Sequence, residues 1–136
     1  MTAAKKSPVQ RVAPQIIDEI IELSLGLDEE QAMARLRRMN GFVHFLANPT
    51  VVGTDNIPEG PVLYISNHST MAMDVLVAVP ALVEASGRFV RGMSDEIMYR
   101  YDWSRKFVTS QGAVMGHARI GDALFKAGKD ILLFPG

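Results

Sequence analysis

The sequence contains no cysteine, which excludes disulfides, thiolate nucleophiles and cysteine-based metal sites together. This composition fits a reducing compartment, and we expect a cytoplasmic location. Acidic and basic residues nearly balance, at 15 against 14. Because nucleic-acid-binding domains normally carry a clear basic excess, we expect no nucleic-acid partner.

Long apolar runs are also missing. The longest candidate, residues 75–83, contains Pro80 and is far shorter than the roughly 20 residues that span a bilayer. Residues 1–8 are small and basic but lead into no apolar core, so we expect no secretory signal. With 136 residues, 48% of them hydrophobic, the chain is expected to bury one core. Any membrane attachment is then expected to be peripheral, on the cytoplasmic face.

Residues 1–48 predict two amphipathic helices. The first begins at Pro14 and ends near Gly26, and the second begins after Asp28 and runs to about Asn40. Packing of both apolar stripes against the rest of the chain is one interpretation. The alternative is that the second helix lies in a membrane interface, where basic amphipathic segments bind. The residues that suggest it are Arg35, Arg37, Arg38, Phe42, Phe45 and Leu46.

Residues 49–136 alternate short apolar strands with helices, which is typical of an α/β fold. We expect a mixed, largely parallel sheet flanked by helices. The predicted strands are residues 50–53, 62–65, 88–93, 114–115 and 130–134. No helix follows the last strand, although parallel strands need crossovers. We therefore expect an apparently truncated domain, and a naturally complete short domain is the alternative.

The most informative stretch is Asn67-His68, at the end of an apolar strand, with Asp74 six residues after the histidine. A histidine that takes a proton from an alcohol needs a partner that fixes its tautomer and stabilises the imidazolium. The spacing is too long for neighbouring turns of one helix, so a loop must bring the two together. Asp74 is also a natural N-cap for the apolar helix after it. The alternative is a structural histidine beside an ordinary helix cap.

Three segments in order resemble the motifs of the PlsC-type glycerolipid and lysophospholipid acyltransferase family. They are Asn67-His68 with Asp74, residues 112–119, and residues 132–136. The family hallmark has four residues between the histidine and the aspartate, whereas this chain has five. Together with Phe-Pro-Gly at the end, that spacing resembles the branch of diacylglycerol and phytol-ester acyltransferases. The resemblance implies a glycerol-phosphate acyltransferase-like fold over residues 51–136.

The activity that the resemblance implies is transfer of a fatty acyl group from acyl-CoA or acyl carrier protein to a lipid hydroxyl. Lysophosphatidic acid and a neutral acylglycerol are both candidate acceptors. His68 would be the general base and Asp74 would orient it, with no covalent enzyme intermediate. No cofactor or metal is implied.

The resemblance also implies substrate-binding roles. Arg119 would contact the phosphate or glycerol of the acceptor, and a surface arginine is the alternative. Gly112 and Gly116 serve either ligand approach or strand geometry. The residues implied to shape the acceptor pocket are Phe134, Pro135 and Gly136.

Two further interpretations stay open at this point. One is a catalytically silent lipid-binding module, or an inactive fragment of such an enzyme, because the chain stops inside the third motif. The other, and weakest, is a metal site made of His68, Asp74 and His117, since two histidines and a carboxylate can bind a divalent ion.

Overall fold

The computed structural model describes residues 12–67 and 73–135, and of residues 73 and 74 only the backbone. Within these ranges the chain is α/β. Short 3-10 helices lie at Thr54–Asn56 and Glu96–Tyr99. The α-helices and β-strands, in chain order, are α1 (Pro14–Leu25), α2 (Glu29–Ala47), β1 (Leu63–Ile65), α3 (Met73–Ser86), β2 (Val90–Ser94), α4 (Asp102–Ser110), β3 (Val114–Met115), α5 (Ala118–Lys126) and β4 (Asp130–Leu133).

The described strands form one sheet in the order β1-β4-β2-β3, and every neighbouring pair is parallel. The α/β prediction is therefore confirmed, and the sheet expected to be mixed is parallel throughout its described strands. Parallel sheets are normally covered on both faces. Here α1 and α5 pack on one face, around Val114 and Ile131, and α2 and α3 pack on the other, around Val90 and Leu132.

Buried charges join α1 and α2 to the amino end of the sheet. Arg91 of β2 has no exposed surface; its Nε donates to Ser24 Oγ at 2.7 Å and its Nη2 to the Ser24 carbonyl at 2.8 Å. Its Nη1 lies 3.0 Å from Glu29, which also pairs with Lys129 at 2.8 Å. Burial acts to raise the pKa of Glu29, but its bonds with Lys129 and Arg91 outweigh this and lower that pKa. The amino end is thus held by paired charges.

A second buried carboxylate ties β1 to β4 at the same end. Asp130 is 1% exposed and accepts from the Val62 backbone N–H at 3.0 Å. Its other oxygen accepts from Arg88 Nε at 2.9 Å. A buried carboxylate with both oxygens bonded avoids the cost of an unpaired charge.

Several local predictions were wrong. Helix α2 does not end at Asn40 but continues through Gly41 to Ala47, and ends at Asn48, which has a left-handed φ of 41°. A mid-helix glycine costs only about 1 kcal/mol relative to alanine, which neighbouring turns absorb. Residues 50–53 form no strand; Val52 is 85% exposed and no strand is hydrogen-bonded to it among the described pairs.

Helix α4 was not predicted from the sequence, because its aromatic residues face solvent and polar residues are buried. Its aromatic residues Trp103 and Phe107 are 73% and 61% exposed, whereas Arg105 and Thr109 are buried. Arg105 is satisfied by Glu19 at 3.1 Å and by the Tyr99 carbonyl at 3.1 Å. Apolar periodicity therefore describes the exposed face of this helix.

Helix α3 differs from the prediction at two points. It begins at Met73, so Asp74 lies within the first turn and does not precede the helix as its N-cap. Pro80 falls inside a helix that continues to Ser86, although the sequence predicts a kink or break at a proline inside a helix. The helix still joins β1 to β2 as expected.

Candidate functional site

The first and third motifs adjoin at the carboxyl end of the sheet. Ile65 pairs with Leu133 in parallel register, and the Ser66 backbone N–H donates to the Leu133 carbonyl at 3.1 Å. Asn67, which is exposed, and the Phe134-Pro135 segment therefore leave neighbouring strands at the same edge. Ligands of α/β sheets bind outside the carboxyl ends of the strands, so this edge is the candidate site.

Of the two candidate catalytic residues, His68 lies outside the described residues and Asp74 is described by its backbone only. The position of that backbone is informative. Helix α3 ends three residues before β2 begins, which puts its last turn at the amino end of the sheet. Its 14 residues span about 21 Å, so the first turn, with Asp74, returns to the carboxyl end where Asn67 lies.

The second motif reaches the same edge at a different strand. Gly116 follows β3, and its N–H donates to the Ser94 carbonyl at the end of β2, at 3.0 Å. His117 then caps α5 by accepting the Arg119 backbone N–H on Nδ1 at 3.1 Å. Because β3 is three strands away from β1, the two strand ends are about 14 Å apart.

Arg119 already has a partner. Its guanidinium forms an ion pair with Asp18 of α1, and both side chains are about half exposed. This contact links α5 to α1 on one face of the sheet. Arg119 therefore belongs to the β3 side of the carboxyl edge, three strands from β1 and Asn67.

Gly112 lies at the amino end of β3, opposite the candidate site. Its φ of +96° is unusual for other residues, and a Cβ there would lie 2.3 Å from Phe89 Cζ. Packing against that ring is sufficient to require glycine. At Gly116, in contrast, a Cβ would meet only the Ser94 carbonyl at 3.6 Å, an ordinary contact.

Of the residues implied to shape an acceptor pocket, Phe134 is half-buried and packs with the α2–α3 side of the core. Pro135 is exposed at the carboxyl edge. Gly136 lies outside the described residues. Phe134 and Pro135 therefore stand beside the end of β1.

Sequence reasoning missed a pair of hydroxyls at the end of β2. Ser94 Oγ lies 2.7 Å from the hydroxyl of Tyr99, which is 2% exposed. Burial raises the pKa of Tyr99 to about 12, and the hydrogen bond with Ser94 offsets this only in part. A serine at the end of an apolar strand was the available signal.

Two cavities lie against opposite faces of the sheet. One of about 430 Å³, at the carboxyl end of β2, is bounded by α1 and by Asp95, Glu96 and Arg100. The other, of about 330 Å³, lies between α2, α3 and β2 and reaches Gln111 and Gly112 at the amino end of β3; its walls are mainly apolar.

Within the described part of the chain, no group of three or more histidine and carboxylate side chains is placed to hold a metal. The suggested trio includes His68 and the side chain of Asp74, which fall outside that part. None of the described helices combines the length and apolarity needed to cross a membrane.

Comparisons of the chain with protein-family models, curated proteins and solved structures gave no match.

Proposed function

We propose that this chain carries the catalytic edge of an acyltransferase, which moves a fatty acyl group from a thioester to a lipid hydroxyl. The observation that carries the proposal is the pairing of β1 with β4. It brings Asn67, the residue before His68, next to the Phe134-Pro135 segment although the two are far apart in sequence. The first turn of α3, with Asp74, belongs to the same end.

In the proposed reaction, His68 takes the proton of the acceptor hydroxyl as its oxygen attacks the thioester carbonyl. Collapse of the tetrahedral intermediate breaks the carbon–sulfur bond, and the thiolate takes the proton from the imidazolium. Asp74 fixes the tautomer and stabilises the imidazolium. General-base catalysis contributes about 10²–10⁴-fold, and positioning of the two substrates contributes further. No cofactor takes part.

Between the two acceptor classes, the position of Arg119 favours a neutral acylglycerol. The guanidinium is paired with Asp18 and belongs to the helix that follows β3, three strands from the end of β1. A glycerol whose hydroxyl reacts at the end of β1 would hold an attached phosphate at that end of the edge, away from Arg119. Among the described residues that this proposal uses at the β1–β4 edge, none has a cationic side chain.

The test is thiol release from acyl-CoA and acyl carrier protein donors, with diacylglycerol or lysophosphatidic acid as acceptor. The 136-residue chain is assayed beside any longer in-frame product of the encoding DNA. We expect acceptor-dependent thiol release, faster with diacylglycerol, and a loss of orders of magnitude in Asp74→Asn. Asp55→Asn, an exposed acid in a 3-10 helix, is the matched control. Silence from all well-folded forms would favour a lipid-binding module without turnover.

We further infer that the second half of α2 docks the protein on the cytoplasmic face of a membrane. Phe42, Phe45 and Leu46 are 62%, 85% and 66% exposed. Residues 31–54 contain three arginines and no acid, so this apolar surface carries a positive charge suited to anionic lipids.

Flotation with vesicles of phosphatidylglycerol and phosphatidylcholine tests the docking. We expect binding that rises with the anionic fraction, falls with salt and is lost in Phe42→Ser/Phe45→Ser. Trp103→Ser/Phe107→Ser removes a pair of equally exposed aromatics from α4, beside Asp102, and should leave binding intact. Equal loss in both double variants, or none in either, would rule out docking through α2.

A further inference from the structure

Helix α4 and the 3-10 helix before it present a large apolar surface to solvent. Five large apolar side chains within residues 97–107 are between 43% and 73% exposed. They are Ile97, Met98, Tyr101, Trp103 and Phe107, and we call them the α4 surface. Because soluble proteins seldom expose large apolar patches that make no contact, this surface indicates a partner.

The α4 surface is the outward side of a helix whose polar side is buried. Arg105 and Thr109 face the interior, and Arg105 is bonded to Glu19 of α1 at 3.1 Å. Trp103 and Phe107 are four residues apart, so their side chains are neighbours on the opposite side of the helix. A helix of a globular protein normally buries its apolar stripe. We therefore expect this stripe to be covered by another molecule.

The charges around the α4 surface are balanced. Residues 95–107 contain three acids and three bases. Asp102 and Lys106, which lie one helical turn apart beside the aromatic stripe, form an exposed ion pair at 3.0 Å. Residues 31–54, which include the basic surface of α2, contain no acid. A balanced surface is not attracted to an anionic membrane, so the α4 surface suits a protein partner.

We propose that the α4 surface binds a second copy of the same protein, with the two α4 helices packed antiparallel about a two-fold axis. Such an interface needs a patch that is complementary to itself. In this arrangement Trp103 packs against Phe107 of the second copy. Asp102 and Lys106 lie on one flank of the stripe, and antiparallel packing brings each of them opposite its counterpart of opposite charge. The surface is therefore complementary to itself in charge as well as in apolar contact.

The size of the α4 surface determines how stable such a dimer can be. A large side chain buries about 150–250 Å², so at the observed exposures the five side chains offer about 500 Å² in each copy. A standard interface takes about 800 Å² from each partner. The polar residues between the apolar ones supply the remainder. An interface of this size is at the weak end of the range, so we expect a dissociation constant on the order of 1 µM.

Sedimentation equilibrium of the 136-residue protein, from about 0.1 to 100 µM, tests the dimer. We expect a reversible monomer–dimer equilibrium that is at least about tenfold weaker in Trp103→Ser/Phe107→Ser, because buried aromatics dominate interface energies. Phe42→Ser/Phe45→Ser removes equally exposed aromatics from α2 and is the matched control, which should leave the equilibrium unchanged. No substrate is present, so the result is independent of the proposed reaction.

Charge reversal tests the antiparallel arrangement. Asp102→Lys and Lys106→Asp each place like charges opposite each other in their own dimers, so we expect each to dimerise about fivefold more weakly. An equimolar mixture of the two variants should restore the dimer, because the cations of one copy then face the anions of the other. Thermal unfolding checks that every variant is folded, and the charge variants decide if the aromatic variant is not.

A protein that stays monomeric over this concentration range would overturn the proposal. So would a dimer that Phe42→Ser/Phe45→Ser weakens and Trp103→Ser/Phe107→Ser does not. Loss of vesicle binding in Trp103→Ser/Phe107→Ser, with unchanged sedimentation, would assign the α4 surface to lipid instead. A mixture of the charge variants that stays monomeric would overturn the antiparallel arrangement.

Discussion

The two ends of the parallel sheet are built differently. At the amino end, Arg91 and Asp130 are fully buried and their charges are paired with Glu29 and Arg88. At the carboxyl end near β1, Asn67 and Pro135 are exposed. Removing one partner of a buried charge pair leaves the other uncompensated, so the amino-end charges depend on one another. The comparison indicates that paired charges hold the amino end, whereas the carboxyl end beside β1 presents exposed residues to solvent.

The largest expected loss of stability comes from Arg91. Arg91→Leu leaves the buried Ser24 hydroxyl and carbonyl without their donor and leaves Glu29 with Lys129 alone, so we expect the free energy of unfolding to fall by about 3–5 kcal/mol. Chemical denaturation measures it. Arg37→Leu, at an exposed position on α2, should change it by less than about 0.5 kcal/mol. Similar values for the two variants would mean that the amino-end charges do not hold the fold.

Substitution of Gly112 tests whether this glycine is required for packing at the amino end of the sheet. Gly112→Ala combines a positive φ with a collision against Phe89, and we expect a loss of about 2–4 kcal/mol. Gly60→Ala is the control, because φ there is +83° and nothing lies within 4 Å. It should cost about 1 kcal/mol. A thermally neutral Gly112→Ala with impaired thiol release would instead indicate a role in substrate approach.

Tyr99 allows stability to be tested near the carboxyl end, because it is a buried titratable group there. Its pKa is raised to about 12 from 10.0, so the unfolded chain loses its proton first as pH rises. Stability is therefore fully present below pH 10 and falls by about 2–3 kcal/mol between pH 10 and about 12. Denaturation at several alkaline pH values measures the fall. It should be smaller in Tyr99→Phe and unchanged in Tyr101→Phe, whose tyrosine is exposed.

The smallest expected effect concerns Arg119. Its ion pair with Asp18 is half exposed, so Arg119→Gln and Asp18→Asn should each cost less than about 1 kcal/mol. If the pair is only a surface contact, neither variant changes the ratio of kcat/KM between lysophosphatidic acid and diacylglycerol. A rise in KM for the phosphate-bearing acceptor in Arg119→Gln alone would make Arg119 a binding residue.

The α/β fold and most helices and strands could be predicted from the sequence, because hydrophobic periodicity and helix-capping residues are local signals. Pro14 begins α1, and the Asp28 side chain accepts the Gln31 N–H at 3.1 Å at the start of α2. Prediction from the sequence failed where tertiary contacts bury polar residues and leave apolar residues exposed. In α4 the buried residues include Arg105, whose burial depends on Glu19, far away in the chain.

The candidate site was predictable in part. The sequence predicts that Asn67 and Phe134 each follow a strand. That the two strands are neighbours follows only from the order of the strands in the sheet. The same order puts Arg119, which follows β3, three strands from β1 and two strands from β4. The apolar cavity was not predictable, because its walls come from α2, α3 and β2, which are far apart in the sequence.

The most direct test of the division between the two ends is to measure thiol release and unfolding together in His68→Ala. His44→Ala, an exposed histidine on α2, is the matched control. We predict that His68→Ala loses at least about 10²-fold in rate with an unchanged free energy of unfolding, whereas the control keeps both. A wild-type rate in His68→Ala would contradict the proposed base and, with it, the catalytic role of the carboxyl end.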